Sequence, residues 1–439
     1  LSGVLFHGLY LGGVFYSISI GMPTGIAALI VTLQPILTNI MSGPILNEKV
    51  TTKQWIGVLL GFLGAALVLG LDIGSGIPLL GLIATIIALL SITISTIWQK
   101  KISKNLPLSV SNFYQAFGGC LFHVLIVIFF LLLIVGVYFG AGYYVYDVAA
   151  SVPCDVWEGE QNNTPSNFEI WEDYQETINA SEYFIDSYED VTFASTDNVT
   201  ISGWWMEQNP GGPTVIINHG LTSSKYSSGI LLASGILYRN GFNVLAIDLR
   251  DHGDSTCEDG YYSAGQKESY DSAAAVDWLV NTKGIPPNSL GIYGQSLGAL
   301  TALTTSQHTN DFAAIAVHDP PVNFETLVRE EMEYQGFPGF LFEPTSHYAR
   351  IFEGISLTYI TPETSLTRSA KQPILIFNGM LDERVLPHHS LDLVELADSL
   401  GIQTELYRYE DAGHVESLWT YTDEFEQIIV RFFQDNLTS

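Results

Sequence analysis

Cysteine is scarce. Three residues (Cys120, Cys154, Cys257) in a chain of 439 are too few to frame a disulfide-stapled scaffold. Cations are scarce as well: Lys and Arg number 17 against 46 Asp and Glu, a net charge of −29, and none occurs from Asn105 to Ser224. So negative a field repels phosphate and argues against nucleic acid as a partner. The front third lacks charge of either sign. Residues 1–146 hold five basic residues (Lys49, Lys53, Lys100, Lys101, Lys104) and two acidic ones (Glu48, Asp72), whereas the remainder holds 12 basic and 44 acidic. Mean hydropathy is nonetheless +0.24. The acidic and apolar parts therefore separate near residue 147, which excludes a disordered chain and a single soluble domain. Position 1 is Leu rather than Met, so a fragment or a trimmed product is expected.

What the front third does contain is apolar runs. Residues 3–20, 23–42, 55–71 and 78–98 are each near the ~20 residues needed to cross ~30 Å of hydrocarbon. A signal peptide would be one short segment, not several. A fifth run, 110–146, exceeds one straight span and is expected to tilt, to break near Gly118-Gly119, or to be two joined pieces. The lysines lie only between the second and third runs and between the fourth and fifth. The connections Gly21-Met22-Pro23 and Leu71-Asp72-Ile73-Gly74 carry none. By the positive-inside rule both lysine clusters face the cytoplasm. The expectation is a multi-pass protein of the cell membrane, with the lipid bilayer as a partner and everything after about residue 147 outside.

The stretch from Gly21 to Gly70, with Gln34-Pro35 inside a span, the Asn47-Glu48-Lys49 loop and Gln54-Trp55-Ile56-Gly57 opening the next run, resembles the EamA-type drug/metabolite transporter family. Ser91–Lys101 resembles the opening of that family's second repeat. Pro35 interrupts the helical ladder, and Gly57, Gly61 and Gly64 are expected to let helices approach closely. The resemblance implies ten spans in two inverted repeats. Residues 1–119 are read as a partial set of these all-α transmembrane helices, and 120–146 as a separate anchor helix, with a join near Gly118-Gly119. Residues 147–189, rich in Asp, Glu, Asn and Ser with Trp157, Phe168, Trp171 and Tyr174 among them, are read as an acidic solvated linker. No regular metal-ligand spacing is visible there; neither cofactor nor metal is expected.

Residues 190–439 alternate short apolar strands with helical patterns, the mark of a mostly parallel sheet covered on both faces. Strands are expected at Val199–Met206, Thr214–Asn218, Val244–Ile247, Leu290–Tyr293, Ala313–Val317, Ile374–Phe377 and Thr404–Tyr409. Gly294-Gln295-Ser296-Leu297-Gly298 follows one of these strands and opens a helix. A strand–GxSxG–helix turn exposes the serine hydroxyl, and Gly294 and Gly298 leave room for the crossing. Such a nucleophile needs a base, an orienting carboxylate and an oxyanion hole. His414 follows the last strand and is the expected base, with His388 and His389 as loop rivals and His219 and His252 as structural. Asp382, beyond the strand at 374–377, is the expected carboxylate, with Glu383 and Asp411 as rivals. Backbone amides of Leu221 and Leu297 are the expected oxyanion donors.

These residues, with Asp248-Leu249-Arg250-Asp251-His252-Gly253-Asp254-Ser255 matching a D-x-R-x-x-G-x-S loop, resemble the α/β-hydrolase superfamily, in its serine esterase and serine-aminopeptidase-like branch. Asp251 departs from the small residue usual there. A short lid is expected at about 320–372. Its aromatics (among them Phe324, Phe340, Phe342 and Phe352) either line an apolar acyl pocket or simply pack on the sheet. Glu330, Glu331 and Glu333 there argue against an anionic substrate. The expected function is a membrane-anchored serine hydrolase acting on a small-molecule acyl substrate. The alternatives are a permease with an appended hydrolase and a non-catalytic binding module. Cys154 and Cys257 fall on the outer side and are free to pair. Oligomeric state has no signature in the sequence.

Overall fold

The computed structural model describes residues 1–69, 77–152, 154–156, 159–356 and 359–438. Trp157 and the connection 71–74 lie outside these. The chain divides into two compact units, Leu1–Gly136 and Val137–Ser439.

In the first unit, Val4–Leu11 runs into α1 (Gly12–Ser19), followed by α2 (Thr24–Val31), α3 (Gln34–Leu46), α4 (Thr52–Leu69), α5 (Leu79–Ile102) and most of α6 (Leu108–Ala150), whose last turns, from Val137, belong to the second unit. The break between α2 and α3 falls immediately before Pro35, which has no N–H to continue the ladder. α5 is the central helix. It carries Thr85, Ala88, Ser91, Ile92 and Ser95 buried, and Gln34 Nε2 donates to Thr96 Oγ1 at 3.0 Å. Three apolar stretches, Thr24–Leu46, Leu79–Asn105 and Leu108–Ala150, are long enough to cross a membrane by length and composition; Val4–Ser19 and Thr52–Leu67 are shorter. Two expectations change here. Gly57, Gly61 and Gly64 face open space. α6 is continuous through Gly118-Gly119, so of the three alternatives the break falls away and a single run remains; glycine inside an apolar helix costs only about 1 kcal/mol against alanine.

The second unit is built on eight strands: β1 (Glu189–Ala194), β2 (Thr200–Met206), β3 (Thr214–Asn218), β4 (Asn243–Ile247), β5 (Leu290–Gln295), β6 (Ala314–His318), β7 (Ile374–Gly379) and β8 (Thr404–Tyr409). Their order in the sheet is β1-β2-β4-β3-β5-β6-β7-β8. β1–β2 and β2–β4 pair antiparallel and the rest parallel. β1 has a half-exposed, charged pattern that hides it from a hydrophobic reading. The helices are α7 (Ser228–Arg239), α8 (Glu268–Trp278), α9 (Leu297–Thr304), α10 (Phe324–Tyr334), α11 (Phe342–Tyr348), α12 (Pro362–Leu366), α13 (His388–Leu400), α14 (Ser417–Thr420) and α15 (Thr422–Asn436). Alternation along β3 separates the two cores. Val215 and Ile217 meet α7 and α15, while Ile216 meets α8, α9 and α13, as a sheet covered on both faces requires.

The segment read as a solvated linker is folded onto this unit. Phe168, Ile170, Ile178, Tyr183 and Ile185 are buried in the α7–α15 core. Charged residues between them stay exposed, so an acidic average conceals sparse apolar anchors. Cys154 and Cys257 form a disulfide across a separation of 103 residues.

Candidate active site

β5 ends in a tight turn into α9. A Cβ added to Gly294 would lie 2.1 Å from the Gly298 carbonyl oxygen, and one at Gly298 would lie 2.1 Å from that of Asn218. Only glycine fits at either place. Between them Ser296 adopts φ 53°, ψ −114°, a backbone region costing of order 1–3 kcal/mol for a residue with a side chain. Its amide donates to the His318 carbonyl at 2.8 Å, which ties the turn to β6. Leu297 begins α9. Leu221 lies in the loop after β3, which passes close enough that a Cβ on Gly220 would be 3.6 Å from that of Ser296.

His414 lies in the loop after β8 and Asp382 in the loop after β7. His414 Nδ1 is 2.6 Å from Asp382 Oδ2, and the other oxygen, Oδ1, accepts the amides of Arg384 and Val385 at 2.8 and 2.9 Å. Ser296 and His414 line one cavity of about 680 Å³, together with Leu221. Of the rival residues, Glu383 is exposed and the others are engaged elsewhere. His388 and His389 both point at Glu330 on α10. Asp411 accepts the Tyr421 hydroxyl. His219, fully buried, accepts the Leu249 amide through Nε2 at 3.0 Å, and His252 Nδ1 is 2.8 Å from the Arg250 carbonyl oxygen.

Comparison with known proteins bears on this arrangement. Residues 233–439 match the prolyl oligopeptidase family. The second unit carries an α/β-hydrolase fold. Residues 1–70 match the EamA-like transporter family. Among curated relatives, the thiohydrolase aneE of Aspergillus aculeatus is 27% identical over 146 residues, 33% of this chain and 45% of that one. The α/β hydrolase domain-containing protein WAV2 of Arabidopsis thaliana is 23% identical over 235 residues, 52% and 73% of the two chains. The esterase Pf2001 of Pyrococcus furiosus is similar in structure, with TM-score 0.48, 26% identity and coverage of 63% of this chain and 98% of that one. The chain spans under half the length of the Aspergillus relative.

Within the hydrolase domain a second carboxylate, missed in the sequence, stands beside the His414–Asp382 pair. Asp319, buried at the end of β6, accepts the amides of Gly379 at 2.8 Å and Val415 at 2.7 Å. It thus fastens the His414 loop to β7. Its one signal in the sequence is position, at the carboxyl end of a predicted strand, where α/β sheets gather their chemistry. Burial and then the charge of Asp382 push its carboxyl up to about 6. Burial opposes charging His414, but the hydrogen bond to Asp382 and the charges of Asp382 and Asp319 outweigh it, and the imidazole is raised above its ordinary 6.5.

The cavity wall also differs from expectation. Among the described residues, none from 320–372 lines it. Glu160, Glu169, Trp171, Glu172 and Gln175 from the folded acidic segment do, facing Trp419. Trp171 stacks on Trp419 at 5.0 Å, and the Tyr174 hydroxyl donates to Glu416 at 2.8 Å. The insert's aromatics pack instead around the end of α6. Phe324 shares a cluster with Tyr146 and Ala150, and Phe342 one with Val145. Glu330 and Glu331 are bonded to His388, His389 and Arg384. Asp251, the departure from the loop pattern, accepts the amides of Glu258, Asp259 and Gly260 at 2.5, 3.0 and 3.0 Å. It organises the turn that follows Cys257.

Proposed function

We propose that the chain is a membrane-anchored serine hydrolase that cleaves an ester, thioester or amide through an acyl-enzyme. The observation carrying this is the 2.6 Å bond from His414 to Asp382 in a histidine that shares its cavity with the strained Ser296. Ser296 Oγ attacks the acyl carbon as its proton passes to His414 Nε2. The tetrahedral oxyanion is held by the amides of Leu221 and Leu297. Collapse breaks the bond to the leaving group, which takes the proton from His414. Water, deprotonated by His414, then attacks the acyl-Ser296 ester, releasing the acid and restoring the hydroxyl. Asp382 keeps the proton on Nδ1 and stabilises the imidazolium.

Three carboxylates and no Lys or Arg line the cavity among the described residues, which favours a neutral or cationic acyl substrate. A relative named as a thiohydrolase keeps thioesters in the substrate class. The lysine clusters orient the helices, with α6 leading out to an extracytoplasmic hydrolase domain. The Cys154–Cys257 disulfide supports an oxidising compartment. The permease alternative has the match at residues 1–70 alone in its favour. Membranes carrying the full chain are expected to label with a fluorophosphonate probe. Equal labelling of the Ser296→Ala variant overturns the reading.

A further inference from the structure

The insert between β6 and β7 clasps the last turns of α6, all within the second unit. The two segments approach so closely that a Cβ added to Gly142 would lie 2.2 Å from the Pro344 carbonyl oxygen. The Tyr138 hydroxyl is 2.6 Å from His347 Nδ1. Phe139 meets Phe352 edge-on at 5.4 Å, and Tyr143 meets Tyr348 at the same distance. Yet the turn at the end of this clasp leaves large apolar groups in the open: Ile351 is 61% and Phe352 58% exposed, beside Tyr143 at 46% and Tyr144 at 62%. Arg350, next to them, is exposed and has no ion-pair partner among the described residues. The nearby carboxylates are engaged, Glu343 by Arg329 at 3.5 Å and Glu353 by the Tyr348 hydroxyl at 3.1 Å.

What covers this surface follows from the helix it touches. From Val124 to Val137 α6 is wholly apolar apart from one glycine, and Tyr138, Tyr143, Tyr144 and Tyr146 follow. Tyrosines flanking an apolar span sit at headgroup level, where one end of the ring is wet and the other dry. Eight residues of helix advance about 12 Å, enough to pass through a headgroup layer. Phe352 touches Phe139, at the inner edge of that layer. An apolar pair with an unpaired guanidinium at this level suits lipid, since rings enter the acyl boundary while arginine reaches phosphate.

We propose that the turn Arg350-Ile351-Phe352 is a second membrane contact, seated in the headgroup layer of the bilayer that α6 crosses. This rests on reading α6 as a membrane span. The two contacts together would hold the hydrolase domain in one orientation on the lipid surface instead of letting it swing on a single helix.

Collision measurements on nitroxide labels test it, using the full chain in mixed phosphatidylcholine–phosphatidylglycerol vesicles. One label goes on the native Cys120 of α6. In a Cys120→Ser background, with the disulfide intact, single labels go at Ile351→Cys, Phe352→Cys and, as an aqueous reference, the exposed loop position Gln208→Cys. Unchanged circular dichroism checks that each variant folds. The ratio of oxygen to water-soluble nickel-chelate collisions at 351 and 352 is expected to be several-fold above that at 208 and to approach that at Cys120. Aqueous ratios at both insert positions, with a lipid ratio at Cys120, overturn the proposal and leave the span standing. An aqueous ratio at Cys120 removes the span reading and the proposal with it.

Discussion

In the proposed mechanism His414 works between two carboxylates, and its titration reports both. As a base it must be unprotonated, so kcat/KM falls as pH drops through its pKa. Because Asp382 and Asp319 outweigh burial and raise that pKa, the acid limb of the profile is expected above pH 6.5. Asp319→Asn removes one charge favouring the imidazolium, and the limb is expected to move to lower pH. A limb that stays put while kcat falls would show that Asp319 matters only as a fastening for the loop. Asp251 is expected to act on stability. Asp251→Ala strands three amides now held by one carboxylate. A loss of about 2–3 kcal/mol is expected in thermal unfolding, with fluorophosphonate labelling of the folded enzyme retained.

At the scale of elements, the folded acidic segment and the insert exchange the parts the sequence suggested for them. The first, read as a solvated linker, builds the cavity wall; the second, read as a lid, grips the end of α6. Both reversals have one cause. Periodicity reveals a helix or strand because its contacts recur every few residues, whereas an irregular segment is placed by isolated anchors such as Phe168, Ile170 and Tyr183, which leave no period. The wall's charge makes a prediction. With acyl esters of matched leaving group, Glu160→Gln/Glu172→Gln should raise kcat/KM for an anionic acyl chain several-fold relative to a neutral one. No change in that ratio would place the bound acyl chain away from this wall. The GxSxG turn was legible because its strand, glycines and helix are contiguous in sequence. Asp319 was not, since a carboxylate after one strand gains meaning only when two other loops arrive beside it.

For the whole molecule, the proposed membrane placement rests on the charge asymmetry. Lys100, Lys101 and Lys104 stand immediately before α6. Their replacement by Gln is expected to let a substantial fraction of chains insert with the hydrolase domain inside. Protease accessibility of that domain in right-side-out against inverted vesicles measures the fraction. Strict one-sidedness in the triple variant would show that the orientation is set by something other than these lysines.

Alone, the sequence determined the division into apolar and acidic parts, the mostly parallel sheet, and the candidacy of Ser296, Asp382 and His414. All of these are written in composition or in short contiguous patterns, and the physics behind them is local: hydropathy, strand and helix period, the steric need for glycine in a tight turn. The tertiary structure alone decided which of several carboxylates and histidines meet, that Cys154 reaches Cys257, that the acidic segment walls the cavity, and that the insert closes on α6. Those outcomes depend on packing between segments far apart in the chain, where many pairings share the same local pattern and only burial in a common core selects one.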